Sequence, residues 1–157
     1  MNRLLQTVAI VAVLVFYTSC EHNSTYEHFY TIDSKGWDKD STLVFPIQVK
    51  EANHDVHSLQ VNIRNKNDYA FSNLWLFVNI ESPSGEQLID TVEFTLASPS
   101  GKWLGTGLGD LFDNKFSYKQ NIAFPDSGLY RIHIQQGMRN YQLQGIDAVG
   151  ISVENVK

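Results

Sequence analysis

The sequence predicts an all-β protein, an antiparallel β-sandwich of seven or eight strands with an immunoglobulin-like or jelly-roll-like topology. Three observations predict it. Apolar residues recur every second position over short segments, clusters of Gly, Pro, Asn, Asp and Ser punctuate those segments, and no stretch keeps a helical apolar period for three turns. Without helices to carry parallel crossovers, such strands form two antiparallel sheets packed face to face.

The first residues are leader, not fold. Arg3 is a lone positive charge, residues 4–17 are apolar apart from Gln6 and Thr7, and Thr18-Ser19-Cys20 ends the run with small residues before a cysteine. About fourteen residues of helix span roughly 21 Å, short of the ~30 Å hydrocarbon core of a bilayer, so the layout is that of an exported and cleaved segment. A cysteine in this place reads as a lipobox. The Cys20 thiol takes diacylglycerol and the chain is cut between Ser19 and Cys20, although Tyr17 stands where a leucine is usual. Ordinary secretion with a free thiol, or a retained anchor, is the alternative. The expected organisation is therefore a lipoprotein signal peptide at 1–19, a lipidated N-terminus and polar tether at 20–41, and the sandwich at 42–157. The partner implied is a lipid bilayer of a Gram-negative envelope, outer membrane before inner, with the domain in the periplasm.

The strands follow in order. Residues 43–49 form one, with Pro46 marking an edge or a bulge because proline cannot donate to a ladder. Leu59, Val61 and Ile63 alternate with Gln60, Asn62 and Arg64. Leu74, Leu76, Val78 and Ile80 repeat the pattern, and Ser82-Pro83-Ser84-Gly85 turns the chain into residues 88–96, completing a hairpin. Residues 116–124, 129–135 and 149–154 are further strands, with an extra one possible at 26–32. Asp126-Ser127-Gly128-Leu129-Tyr130 resembles the tyrosine corner of immunoglobulin-like sandwiches, and Ile132 stands where antibody domains place a cysteine.

Composition narrows the function. The 157 residues are 43% apolar with a single cysteine, which excludes a disordered polymer, a disulfide-rich miniprotein and a Cys-ligated zinc module. A formal charge of −5 speaks against nucleic acid as a partner. Gly105-Thr106-Gly107-Leu108-Gly109 lacks the spacing and the Lys-Ser/Thr of a phosphate loop and reads as a tight path for a long connection. Asp110 and Asp113 could pair as acid and base, or bond to local backbone as aspartates in turns do. His54 and His57 have His-x-x-His spacing but lack further ligands nearby, and His133 alternates outward. No enzyme, cofactor, metal or small-molecule ligand is expected. Trp75 and Phe77 lie on the face opposite the Leu74–Ile80 aliphatics, so either the N-terminal segment or a loop covers them or they form an exposed patch for protein or sugar. Trp103 and Leu104, beside glycines, carry the same ambiguity.

With these residues in place, the chain resembles the gliding-motility lipoprotein GldH family. The resemblance rests on Cys20, on Ser72-Asn73-Leu74-Trp75-Leu76-Phe77-Val78, on Gly101-Lys102-Trp103-Leu104-Gly105-Thr106-Gly107-Leu108-Gly109-Asp110 and on Phe124-Pro125-Asp126-Ser127-Gly128-Leu129-Tyr130. Asp113-Asn114-Lys115-Phe116, Gln136-Gly137-Met138-Arg139 and Gly145-Ile146-Asp147-Ala148-Val149-Gly150 extend it over nearly the whole mature domain. The resemblance implies an envelope lipoprotein required for bacteria to crawl over surfaces, in a system linked to type IX secretion. It implies other gliding or secretion proteins as partners, and no enzymatic activity or cofactor. The phylum in which the family occurs O-glycosylates periplasmic proteins at a short Asp-Ser/Thr pattern, which Ser41 and Thr91 fit. Glycan binding by an envelope lipoprotein of the same fold class, with Trp75, Phe77 and Trp103 as stacking platforms, is the alternative function.

Overall fold

The computed structural model describes residues 24–51 and 55–156. The leader, the Ser19–Cys20 junction and His54 lie outside the described residues. Among these residues there is no helix, and ten strands run antiparallel, eight of them seven residues or longer. One sheet has the order β1 (Ser24–Thr31), β10 (Ile146–Asn155), β4 (His57–Lys66), β7 (Leu111–Ile122). The other has the order β3 (Leu43–Val49), β8 (Gly128–Gln136), β5 (Asn73–Glu81), β6 (Gln87–Thr95). A two-residue ribbon of β2 (Trp37–Asp38) and β9 (Gln142–Leu143) closes one end.

The period-two pattern becomes the core. Leu74, Leu76, Val78 and Ile80 of β5 point inward with Ile132 and Ile134 of β8, and meet Leu59, Val61, Ile63, Val149, Ile151 and Val153 of the other sheet. Each fully buried aliphatic of this kind contributes about 1.5–3 kcal/mol relative to exposure. The alternation on β4 does not leave its polar side open to water. Gln60 and Asn62 are buried as well, and Asn62 Nδ2 donates to Ser152 Oγ of β10 at 3.1 Å. A central strand has neighbours on both sides, and their side chains cover it.

The two sheets are fastened along both borders. On one side the Tyr30 hydroxyl donates to the Val44 carbonyl at 2.8 Å while its ring meets Phe45 edge-on. On the other, Phe94 packs against Phe116, and Asp90 accepts from the Tyr118 hydroxyl at 2.6 Å and pairs with Lys119 at 2.7 Å. Those two partners hold the Asp90 carboxyl below its ordinary pKa.

The predicted hairpin is β5–β6, in register from Asn73 opposite Thr95 to Glu81 opposite Gln87. The predicted edge is β3, with Pro46 opposite Arg131. The tyrosine corner has its hydrogen bond: the Tyr130 hydroxyl accepts from the Asp126 N–H at 3.2 Å, and Ile132 is fully buried.

Two expectations are corrected. Residues 24–41 belong to the folded domain rather than to the tether expected over 20–41, because β1 pairs along β10 and Trp37 is buried, with its Nε1 donating to the Ser41 carbonyl. The stretch looks polar because it combines an edge strand with turns, in which many residues are exposed. The strand expected over 116–124 begins instead at Leu111, so Asp113 lies in a ladder and not in a turn.

Candidate functional surface

Strand direction sorts the loops to two ends. Ser24, His57, Ile122, Val49 and Gly128 share one end with the β5–β6 turn, which places the N-terminal side of the domain there. At the far end are the connections 67–72, 96–110 and 137–145.

The 96–110 connection is laid flat against β7. The Thr106 and Asp113 N–H groups each donate to the other's carbonyl, at 2.9 and 2.7 Å. Glycine permits this approach, since a Cβ on Gly107 would lie 1.8 Å from the Leu111 carbonyl oxygen and one on Gly105 2.8 Å from that of Asp113. Gly109 serves differently, having open space around it and a φ of +70°.

Trp103 is half-buried in this loop. Its Nε1 donates to Asn67 Oδ1 at 3.1 Å, and its ring lies beside Tyr69 and Phe112, with centroids 6.4 and 5.8 Å away. It therefore pins the loop, and Leu104 (57% exposed) and Leu108 (95% exposed) are what the loop offers to solvent. Asp110 and Asp113 divide their roles. Asp113 pairs with Arg64 Nε at 2.7 Å, while the Asp110 carbonyl accepts from the Asn67 N–H.

Trp75 and Phe77 stand on the outer face of the β3-β8-β5-β6 sheet, 38% and 44% exposed, so the covering segment that would have buried them is not seen among the described residues. Gly137 lies beside both, its N–H donating to the Trp75 carbonyl at 2.7 Å. It lines an open groove of about 500 Å³ with Phe71, Asn73, Trp75, Met138 and Arg139. Tyr69, 5.7 Å from Phe71 and 6.4 Å from Trp103, links this groove to the long loop. Thus the two aromatic candidates, distant in sequence, belong to one aromatic run from the open face to the far end. Tyr69 and Phe71 were missed, and Met138 and Arg139 entered only through the family resemblance, because residues in connections follow no period that would single them out.

The remaining candidates take structural places. His133 Nε2 lies 3.1 Å from Glu81 Oε2 on the outer face. The His57 ring lies 5.6 Å from Phe124, and no group of three or more His, Cys, Asp or Glu that could hold a metal occurs among the described residues. Ser41 and Thr91 are exposed, Thr91 directly across from Phe77. Burial raises the Tyr69 phenol above its ordinary pKa and, joined by the like charge of Tyr30, pushes that of Tyr26 up to about 12. The hydroxyl of Tyr69 donates to the Asn73 carbonyl, bracing the loop beneath the groove.

The architecture is that of an all-β sandwich domain with exposed apolar side chains on the outer face of the β3-β8-β5-β6 sheet and at the far end, besides Phe29 on β1 and Val56 and Val156 at the Ser24 end. The chain belongs to the GldH lipoprotein family, whose sequence profile matches residues 24–153. It is 36% identical over 151 residues to the gliding motility lipoprotein GldH homolog of Christiangramia forsetii, covering 92% of this chain and 91% of that one. It is 35% identical over 152 residues to the gliding motility lipoprotein GldH of Flavobacterium johnsoniae, covering 92% of each. Among solved structures, the VP2 subviral particle of infectious bursal disease virus matches with a TM-score of 0.34 and 14% identity, over 82% of this chain and 29% of that one. A score this low carries no structural inference.

Proposed function

We propose that the protein is a non-catalytic gliding-motility lipoprotein, anchored in the cell envelope through acylated Cys20 and working as a subunit of the motility machinery linked to type IX secretion. The observation that carries this reading is the 35–36% identity to two gliding-motility lipoproteins over 92% of the chain. The fold suits it. Glu21, His22 and Asn23 alone separate Cys20 from Ser24, so an acylated Cys20 holds the Ser24 end of the sandwich at the bilayer, the outer membrane in this reading, with the domain in the periplasm. The far end then stands off by the length of β10, ten residues or about 33 Å, and presents Leu104 and Leu108 to neighbouring gliding or secretion proteins.

The test is Cys20→Ala in the native host. Labelling with a palmitate analogue and spreading over a surface should both be lost, and Leu104→Asp with Leu108→Asp should abolish spreading while labelling persists. Labelling of the Cys20 variant overturns the anchor, and spreading of either variant overturns the role. The open Trp75–Phe77 face supports the second reading, glycan binding, and a glycan array without signal for the purified domain removes it.

A further inference from the structure

The two sheets have four bordering strands, β1 and β7 in one and β3 and β6 in the other. A bordering strand carries a row of unpaired N–H and C=O groups, which proteins blunt with bulges, prolines and lysines. Three of these borders are blunted. In β1 an extra residue interrupts the pairing with β10 between Ser24 and Tyr26. In β7 the pairing with β4 shifts twice, between His57 and Leu59 and between Leu59 and Gln60, Asn121 has a φ of +57°, and Lys115 and Lys119 add charge. In β3 there is Pro46.

β6 has no bulge, proline or lysine, and its one inward charge, Asp90, is neutralised by Lys119. Its nine residues pair with β5 without a shift and contain no Pro, Gly, Lys or Arg, and Leu88 and Ile89 are 46% and 68% exposed. The register also fixes which backbone groups are free. Just outside the two ends of the hairpin ladder, Ser82 N–H donates to the Glu86 carbonyl and Leu96 N–H to the Ser72 carbonyl, so even-numbered positions are the hydrogen-bonded ones. By the alternation of an antiparallel pair, the N–H and C=O of Ile89, Thr91 and Glu93 point away from the sheet. The side chains of the same three residues lie on the outer face, opposite Asn79, Phe77 and Trp75.

We propose that β6 is a docking edge that takes an extended segment of another polypeptide as a fifth strand of its sheet. Backbone groups in a row are satisfied by another backbone, which sets the class of ligand, and apolar or β-branched side chains on alternate residues would extend the Trp75–Phe77 face. Charge narrows it further. Asp90 is neutralised from β7 by Lys119, whereas Glu93, which accepts from the neutral Asn73 amide, has no cation on its own strand, in a chain of net charge −5. The matching segment carries Lys or Arg opposite Glu93. A second copy of β6 would bring more carboxylates and no cation, so the occupant is a basic strand of a different protein. This deepens the proposed role, since it rests on the chain being a subunit of an assembly.

The test places benzoylphenylalanine at Ile89, or at Gln48 on the proline-bearing β3 as control, in the full-length lipoprotein in native envelopes. Irradiation at Ile89 should crosslink a distinct protein through a segment bearing Lys or Arg, with Gln48 at least tenfold weaker. Thr91→Pro removes one outward N–H without taking a bond from β5, and should lower the crosslink at least tenfold while labelling of Cys20 and thermal melting hold. If that variant melts early, Ile89→Lys, with the probe moved to Thr91, repels a basic strand without touching the backbone. Equal crosslinking at Gln48, a crosslinked dimer of this chain, crosslinks insensitive to both variants, or a sugar on Thr91 overturns the proposal. Amide exchange of the purified chain reports on the edge apart from the motility reading. The Ile89, Thr91 and Glu93 amides should exchange at least a hundredfold faster than those of Leu88, Asp90 and Val92, and the reverse order refutes the edge geometry.

Discussion

Gly107 and Gly109 lie two residues apart in the same loop, yet alanine should act on them by different physics and with different force. At Gly107 the new methyl would sit 1.8 Å from the Leu111 carbonyl oxygen and 2.9 Å from its carbon, backbone atoms at the start of β7 that pair with Lys66. Ordinary contact begins near 3.4 Å, so the loop must lift by about 1.5 Å. Lifting breaks the two hydrogen bonds between Thr106 and Asp113, worth about 1 kcal/mol each, and adds overpacking strain of about 1 kcal/mol or more. The expected loss is about 3 kcal/mol, or about 10 °C in melting temperature for a domain of this size. At Gly109 nothing lies within 4 Å, and alanine meets only the left-handed backbone, at about 1–2 kcal/mol. Urea unfolding and thermal melts followed by circular dichroism measure both, and Trp103 fluorescence reports whether the loop has lifted. Equal losses, or a larger loss at Gly109, would refute the claim that Gly107 is needed for close approach.

Tyr130→Phe should cost about 1 kcal/mol in urea unfolding by leaving the Asp126 N–H without its acceptor, and an unchanged midpoint would mean that the corner bond contributes nothing. Trp37→Ala should cost about 3–5 kcal/mol, because Trp37 is 2% exposed, whereas Trp75→Ala, at 38% exposed, should cost about 1 kcal/mol and disturb only recognition at the open face. Stability should fall as pH rises above about 10. Unfolded tyrosines then lose protons that Tyr26 holds up to about 12 and that Tyr69 and Tyr118 also retain, so the unfolded state binds fewer protons. Urea midpoints between pH 8 and 12, with phenolate absorbance, check this, and a flat midpoint through pH 11 refutes it.

The long strands were legible because burial on one face forces a period of two, and Leu59-Val61-Ile63 and Leu74-Leu76-Val78-Ile80 keep that period without interruption. The same logic weakened the signal of β1, whose edge position lets water reach most of its residues, so that Ser24–Thr31 reads as no more than a possible strand over 26–32 within a polar stretch. It also hid β2 and β9, which at two residues each are too short to show any period. Trp37 and Leu143, opposite one another in that ribbon, are buried by tertiary packing that no local pattern announces.

The functional surface was legible only in its pieces. An odd apolar pair on the polar phase of a strand was enough to single out Trp75 and Phe77, and a tryptophan among glycines was enough for Trp103. What joins them is Phe71, Tyr69 and the notch at Gly137, and these come together only once β5, β8 and two connections are folded. The open edge was less legible still. Residues 88–96 read as one strand of a hairpin, and nothing in that segment shows that its far side stays unpaired. That follows from the strand order, and its meaning follows from comparison with three other borders that carry a bulge, a proline or lysines. Pro46 is the instructive case. It was read as a mark of an edge, and the unguarded edge is the one without such a mark.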